Sequence, residues 1–131
     1  MKTHHYRYLG YFLLTGIVFL SLLPGKSLAK LNWDQLLSLD KLGHFFMYGI
    51  TAGCFYLSRI EANLKSIYRV PGLALISLGL VLEGMQHCVG LGRTFDWLDV
   101  LANMTGIMVS GYLIKYFHQN HQTNLNQKKF L

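Results

Sequence analysis

Four of the six acidic residues in this 131-residue chain fall in three short stretches, each beside a basic group or an amide. The first holds Asp40, Lys41, His44 and Tyr48, the second Glu83 and Gln86, and the third Arg93, Asp96, Asp99 and Asn103. A histidine flanked by carboxylates is the usual equipment of general acid–base chemistry. His44 is the candidate base or acid, Asp40 or Asp99 the group that orients it, and Glu83 a second titrating group tuned by partial burial. Lys41 and Arg93 would grip an anion, the arginine with two oxygens at once. A variant uses His44, Glu83, Asp96 and Asp99 as ligands for a divalent metal, since carboxylates suit hard cations and an imidazole several transition ions. No single stretch has a diagnostic metal spacing, so the expectation is no metal and no cofactor.

For these side chains to meet, each stretch must be helical. Asp40, His44 and Tyr48 lie at i, i+4 and i+8, with Lys41 three residues before His44, which makes one stripe on a helix. Glu83 and Gln86 are three apart. Asp96, Asp99, Asn103 and Gly106 step by three and four, again along one face. Read singly, Asp40 and Asp96 are ordinary carboxylates near helix N-termini, favoured there by capping and by the helix dipole. Glu83 and Asn103 are harder to explain that way, because polar groups inside an apolar span usually face a partner or a cavity.

The surrounding sequence supplies such spans. Hydrophobic residues make up 52% of the chain and charged ones 14%, against about 25% charged in soluble domains. Apolar runs cover 9–23, 42–58, 70–89 and 100–114, and a bilayer core of about 30 Å needs about 20 mostly apolar residues per helix. The expectation is an all-α integral membrane four-helix bundle filling residues 1–117, with helices at about 8–24, 40–59, 71–89 and 97–117. The first segment also resembles a signal peptide, with Ser27-Leu28-Ala29 as its small-residue cleavage site. Its length and the flanking Tyr6, Tyr8 and Tyr11 favour a retained helix. Pro24-Gly25 ends helix 1. The segment from Lys26 to Leu39 forms an external loop, with "NWDQLLSL" lying on the surface behind Asn32 as N-cap. Pro71 opens helix 3, Gly90-Leu91-Gly92 turns the chain into helix 4, and the polar tail 118–131 is expected to be disordered.

Lysine and arginine set the orientation. Eight of the twelve, among them Lys2, Arg7, Arg59, Lys65, Arg69 and Lys115, fall on one side, and Lys26, Lys30, Lys41 and Arg93 on the other. The positive-inside rule then puts both termini in the cytoplasm of a multi-pass protein in the bacterial cytoplasmic membrane. The net charge of +6 is explained by this distribution, and with no soluble domain to present a groove, nucleic-acid binding is excluded. With that topology the polar stretches of helices 2, 3 and 4 reach one depth, near the outer surface. Gly49 and Gly53 in helix 2, and Ala102, Gly106 and Ser110 in helix 4, are expected to bring backbones close within the bundle. Cys54 and Cys88 are read as free and buried, and His87 as structural.

The three polar blocks, "DKLGHFFMYG", "EGMQ" and "GRTFDWLDVLANMTG", resemble the VanZ-like family of small bacterial membrane proteins. That pattern is Asp-Lys-x-x-His-Phe-x-x-Tyr, then Glu-x-x-Gln, then Arg-x-x-Asp-x-x-Asp-x-x-x-Asn-x-x-Gly, and residues 8–117 carry it in order. The resemblance implies work at the cell envelope, since the founding member is linked to resistance to the glycopeptide teicoplanin. It does not carry resistance itself over to this chain. Two functions fit. One is a binder whose polar site, made of Asp40, Lys41, Tyr48, Gln86, Arg93, Asp96 and Asn103 around His44, takes the headgroup of a membrane lipid or a lipid-linked envelope precursor. The other is a hydrolase or transferase acting on a lipid-linked phosphate or sugar at the same place. The sequence fixes no oligomeric state.

Overall fold

The computed structural model describes residues 3–23, 33–60, 67–88 and 95–128. They form four helices, α1 (Thr3–Ser21), α2 (Trp33–Leu57), α3 (Arg69–Cys88) and α4 (Trp97–Lys128), and no strand among the described residues. The chain is therefore all-α, as the apolar runs imply.

The helices run from breaker to breaker, and their ends differ from the expected ones for that reason. Apolar runs mark where a helix is greasy. Proline and glycine pairs mark where the backbone can stop. No proline or glycine lies between Trp33 and Leu42, so the turns expected to form a separate surface segment continue into α2. Asp40 is thus about two turns inside α2 and does not cap it, at about 10 Å from its start along the axis. Nothing breaks the chain after Gly111, so α4 continues to Lys128 and the expected disordered tail is helical over 118–128. Pro71 stands in the first turn of α3, where its missing N–H is not needed. The segments holding Pro24-Gly25, Asn32 and Gly90-Leu91-Gly92 lie outside the described residues.

Two helices, α3 and the Trp97–His121 part of α4, are long and apolar enough to cross a membrane. In α1 the polar opening "THHYRY", and in α2 the polar opening "WDQLLSLDK", dilute the apolar run that follows.

Helix α2 is the axis of the bundle and packs most extensively on α4. The contact is made at small residues. A methyl group on Gly49 would come within 3.0 Å of the Gly106 carbonyl, and one on Gly106 would collide with the Phe45 carbonyl. One turn on, Gly53 faces the Ser110 hydroxyl. The small residues of both helices therefore serve packing within one chain and let the two backbones approach closely. On the other side of α2, Tyr11 of α1 meets the Phe55 ring edge-on with centroids 5.3 Å apart. Ile17, Tyr48, Ala52, Tyr56, Leu75, Leu82 and Ile107, drawn from all four helices, make the core. Cys54 is buried, whereas Cys88 is exposed at the end of α3, and both are free.

Candidate functional site

Where α3 ends and α4 begins, the polar stripes of three helices converge on α2. Asp96 starts α4. Its Oδ1 accepts the Leu98 N–H at 2.8 Å, and its carbonyl accepts the Asp99 and Val100 N–H groups, so it is the N-cap. It has a second task as well. Lys41 of α2 donates from Nζ to Asp96 Oδ2 at 2.7 Å and to Asp99 Oδ1 at 3.0 Å. The Lys41 ammonium, helped by the Leu98 N–H, holds the Asp96 carboxyl below its ordinary value of 3.8. One lysine thus clamps the first turn of α4 onto α2.

One turn deeper on α2 lies His44, its side chain 13% exposed. Its Nδ1 faces Asn103 Oδ1 at 3.1 Å, and since an amide oxygen only accepts, Nδ1 carries the proton. Nε2, on the far edge of the ring, then points at carboxylates from all three helices. Asp40 Oδ1 of α2 lies at 3.9 Å, Glu83 Oε1 of α3 at 4.0 Å and Asp99 Oδ2 of α4 at 3.9 Å. Asp99 divides its two oxygens between Lys41 and the imidazole.

Burial deepens inward. Asp40 and Asp96 are half-exposed at the rim, whereas Glu83 and Asn103 are each 2% exposed and Asp99 5%. The floor is Tyr48, fully buried, whose ring stacks below His44 with centroids 6.4 Å apart. Gly79 of α3 makes room for that floor, since a methyl group there would come within 3.1 Å of Asn103 Nδ2 and 3.3 Å of the Tyr48 hydroxyl. Asn103 Nδ2 is buried without a hydrogen-bond partner, an omission that costs about 1–3 kcal/mol. The amide is therefore positioned for its oxygen, at the expense of its nitrogen.

The site predicted from sequence is mostly assembled. Asp40, Lys41, His44, Tyr48, Glu83, Asp96, Asp99 and Asn103 meet, while Arg93 lies outside the described residues. Gln86 is turned to another use. Its Nε2 donates to the Ser21 carbonyl at 2.7 Å, satisfying an acceptor left open by the end of α1 and tying that helix to α3. The proposed metal set also changes. Asp96 is drawn away to Lys41, and among the described residues the group with metal-ligand spacing is Asp40, His44 and Asp99, whose ligand atoms lie within 4.8 Å of one another. Sequence reading passed over Gly79. The available signal was its position four residues before Glu83, on the same face of α3.

Compared with family models, curated proteins and solved structures, the chain matches none.

Proposed function

We propose that this chain is a VanZ-like integral membrane protein whose polar site binds the headgroup of a membrane lipid or of a lipid-linked cell-envelope precursor. The observation that carries this reading is the gathering of Asp40, Lys41, His44, Glu83, Asp96 and Asp99 from three helices into one half-open cluster. Buried charge destabilises a bundle unless it is paired. Among the described residues, four carboxylates and one lysine gather here, more charge than helix packing needs.

The outer surface of the bundle supports membrane embedding. Phe12, Phe19, Leu73, Met108, Tyr112 and Phe117 are each more than 60% exposed, and a water-soluble surface rarely carries so many large exposed apolar side chains. With all four helices in the bilayer and the basic residues inside, the cluster opens towards the outer leaflet. There a headgroup would reach it laterally from the lipid phase. With Lys41 already held by two aspartates, a bare phosphate meets an acidic surface. A headgroup bearing positive charge, or arriving together with a cation, matches it. Arg93, three residues before Asp96 in sequence, is the residue expected to receive the phosphate.

Native mass spectrometry of the full chain extracted from a bacterial membrane, beside His44→Ala and Asp99→Asn, tests this. A defined lipid retained by the wild type and depleted in both folded variants is the expected result. Identical lipid profiles in all three would overturn the reading. A lipid whose headgroup is altered chemically only by the wild type would replace the binder with a hydrolase or transferase.

A further inference from the structure

The other end of the α3–α4 pair carries a feature of a different kind. Between the first two turns of α3 and residues 107–115 of α4 lies an open groove of about 620 Å³, within the range of about 300–1,000 Å³ usual for ligand pockets. Its floor is Ile107 and Tyr56, both almost fully buried. Tyr68 packs edge-on against Tyr56, with ring centroids 5.1 Å apart, and continues that floor. A methyl group on Gly72 would come within 2.9 Å of the Tyr56 hydroxyl, so the groove is lined there by bare backbone. On the facing helix, a methyl group on Gly111 would rest against the Tyr56 ring at 3.4 Å, an ordinary contact, and anything larger would take up the groove.

The groove is graded from one end to the other. Arg69, the first residue of α3, and Lys115 of α4 are both exposed and stand at its mouth. From there to Ile76 and Ile107 it follows each helix for about 10–12 Å, most of the way through one leaflet of a bilayer core of about 30 Å. Beyond the two cations its described lining is apolar or aromatic, and no carboxylate is found in it among the described residues. Two positive charges above a hydrocarbon slot are the complement of a phospholipid, an anion joined to an acyl chain.

From this geometry we infer that the α3–α4 groove binds one anionic phospholipid, its phosphodiester on Arg69 and Lys115 and an acyl chain lying along Gly72 and Gly111. The inference rests on the membrane embedding proposed above, and with the basic residues inside it places this lipid in the inner leaflet. It does not rest on the polar cluster, which lies at the opposite end of the same two helices. Arginine can offer a phosphate two parallel N–H groups, and lysine adds a point charge beside it. Basic pockets between spanning helices on the cytoplasmic side are a recurrent way to hold lipid headgroups. What matters is the place of the two cations at the mouth, not an absence of other partners. A second copy of this chain is a poorer occupant. A two-fold axis through the groove would set two Arg69 and two Lys115 side chains against one another.

The test is titration of phosphatidylglycerol into the delipidated full-length protein in detergent, beside phosphatidylcholine with the same acyl chains. Native mass spectrometry reads the lipid bound, and circular dichroism shows that each variant is folded. The wild type is expected to hold one phosphatidylglycerol in preference to phosphatidylcholine, and His44→Ala and Asp99→Asn should still hold it. Arg69→Gln and Lys115→Gln should each weaken it about five-fold, and the double variant more than about ten-fold. Gly111→Leu, which fills the groove and keeps both cations, should release it as well. Equal retention of the two lipids by the wild type would overturn the inference, as would a preference that survives in the double variant. A preference lost in the double variant but intact in Gly111→Leu would put the lipid on the open surface and remove the groove. Wild-type dimers that Gly111→Leu breaks, with no lipid held, would replace the lipid with a second copy. Lipid lost in His44→Ala and Asp99→Asn but kept in the double variant removes this site and leaves the outer headgroup site. The reverse pattern removes the outer site and leaves this one.

Discussion

Two regions of the α2–α4 interface, barely two turns apart, are built on opposite principles. At Gly49–Gly106 and Gly53–Ser110 the helices touch through backbone and small side chains. At Asp40, Lys41 and His44 the same helices face each other through charge. Both regions are well buried at their centres: Ala52 is fully buried, and Asp99 and Asn103 are within a few per cent of it. Burial therefore does not distinguish them. The first region holds nothing that is not needed for contact. The second holds, among the described residues, a buried amide nitrogen without a partner and a cluster of charged groups, features that a stability-driven interface would replace with packed apolar groups. The difference marks the region where the headgroup site is proposed.

That contrast can be broken by substitution. The largest loss of stability is expected from Gly106→Val, since even a methyl group there collides with the Phe45 carbonyl. Overpacking of this kind typically costs about 1–3 kcal/mol, and a backbone neighbour leaves little room to relax. Thermal unfolding in detergent should show a clear fall in Tm, and an unchanged Tm would mean that the crossing is wrongly placed. Gln86→Leu should cost less, about 1 kcal/mol, by removing the bond to the Ser21 carbonyl. Its effect should be seen as faster hydrogen exchange at the end of α1. Equal protection in variant and wild type would contradict that tie.

The smallest effect concerns pH. Asp96 is held below its ordinary value of 3.8 by the Lys41 ammonium and the Leu98 N–H. A lowered folded value means the folded form binds its proton less readily than the unfolded one. The Asp96 contribution is therefore fully present above about pH 4 and is lost as pH falls through the depressed value. Since the side chain is one-third exposed, the expected change is a shallow loss of stability in acid, absent in Asp96→Asn. An acid profile identical in both proteins would show that the Lys41–Asp96 contact does not persist in solution.

Much of the site was legible in the sequence because helical spacing is strict. Asp40, His44 and Tyr48 share a stripe, as do Asp99 and Asn103, and each stripe turns inward as a unit. The all-α class followed from the apolar runs, and close packing within the bundle from the small residues of α2 and α4, though not that these two helices face each other. Other features were not legible. The choice of Lys41 between carboxylates depends on where a flexible side chain ends, so Asp96 and Asp40 exchanged their expected roles. Gln86 shares a face with Glu83 but reaches the end of α1, a contact across 65 residues that no local pattern encodes. Helix ends were misjudged wherever polarity was taken for a stop signal, as at 33–39 and 118–128, where only proline or glycine would have interrupted the backbone.

The central claim is that the polar cluster is maintained for binding at the expense of stability. The measurement that tests it most directly is the Tm of Glu83→Gln beside wild type, together with lipid retention for each protein in its folded state. Gln keeps the shape of Glu83 and removes one charge from a residue that is 2% exposed. The account predicts a Tm equal to or above that of the wild type, with retention of lipid reduced. A marked fall in Tm with retention intact would contradict it, and would make the cluster a structural network that locks the helices together.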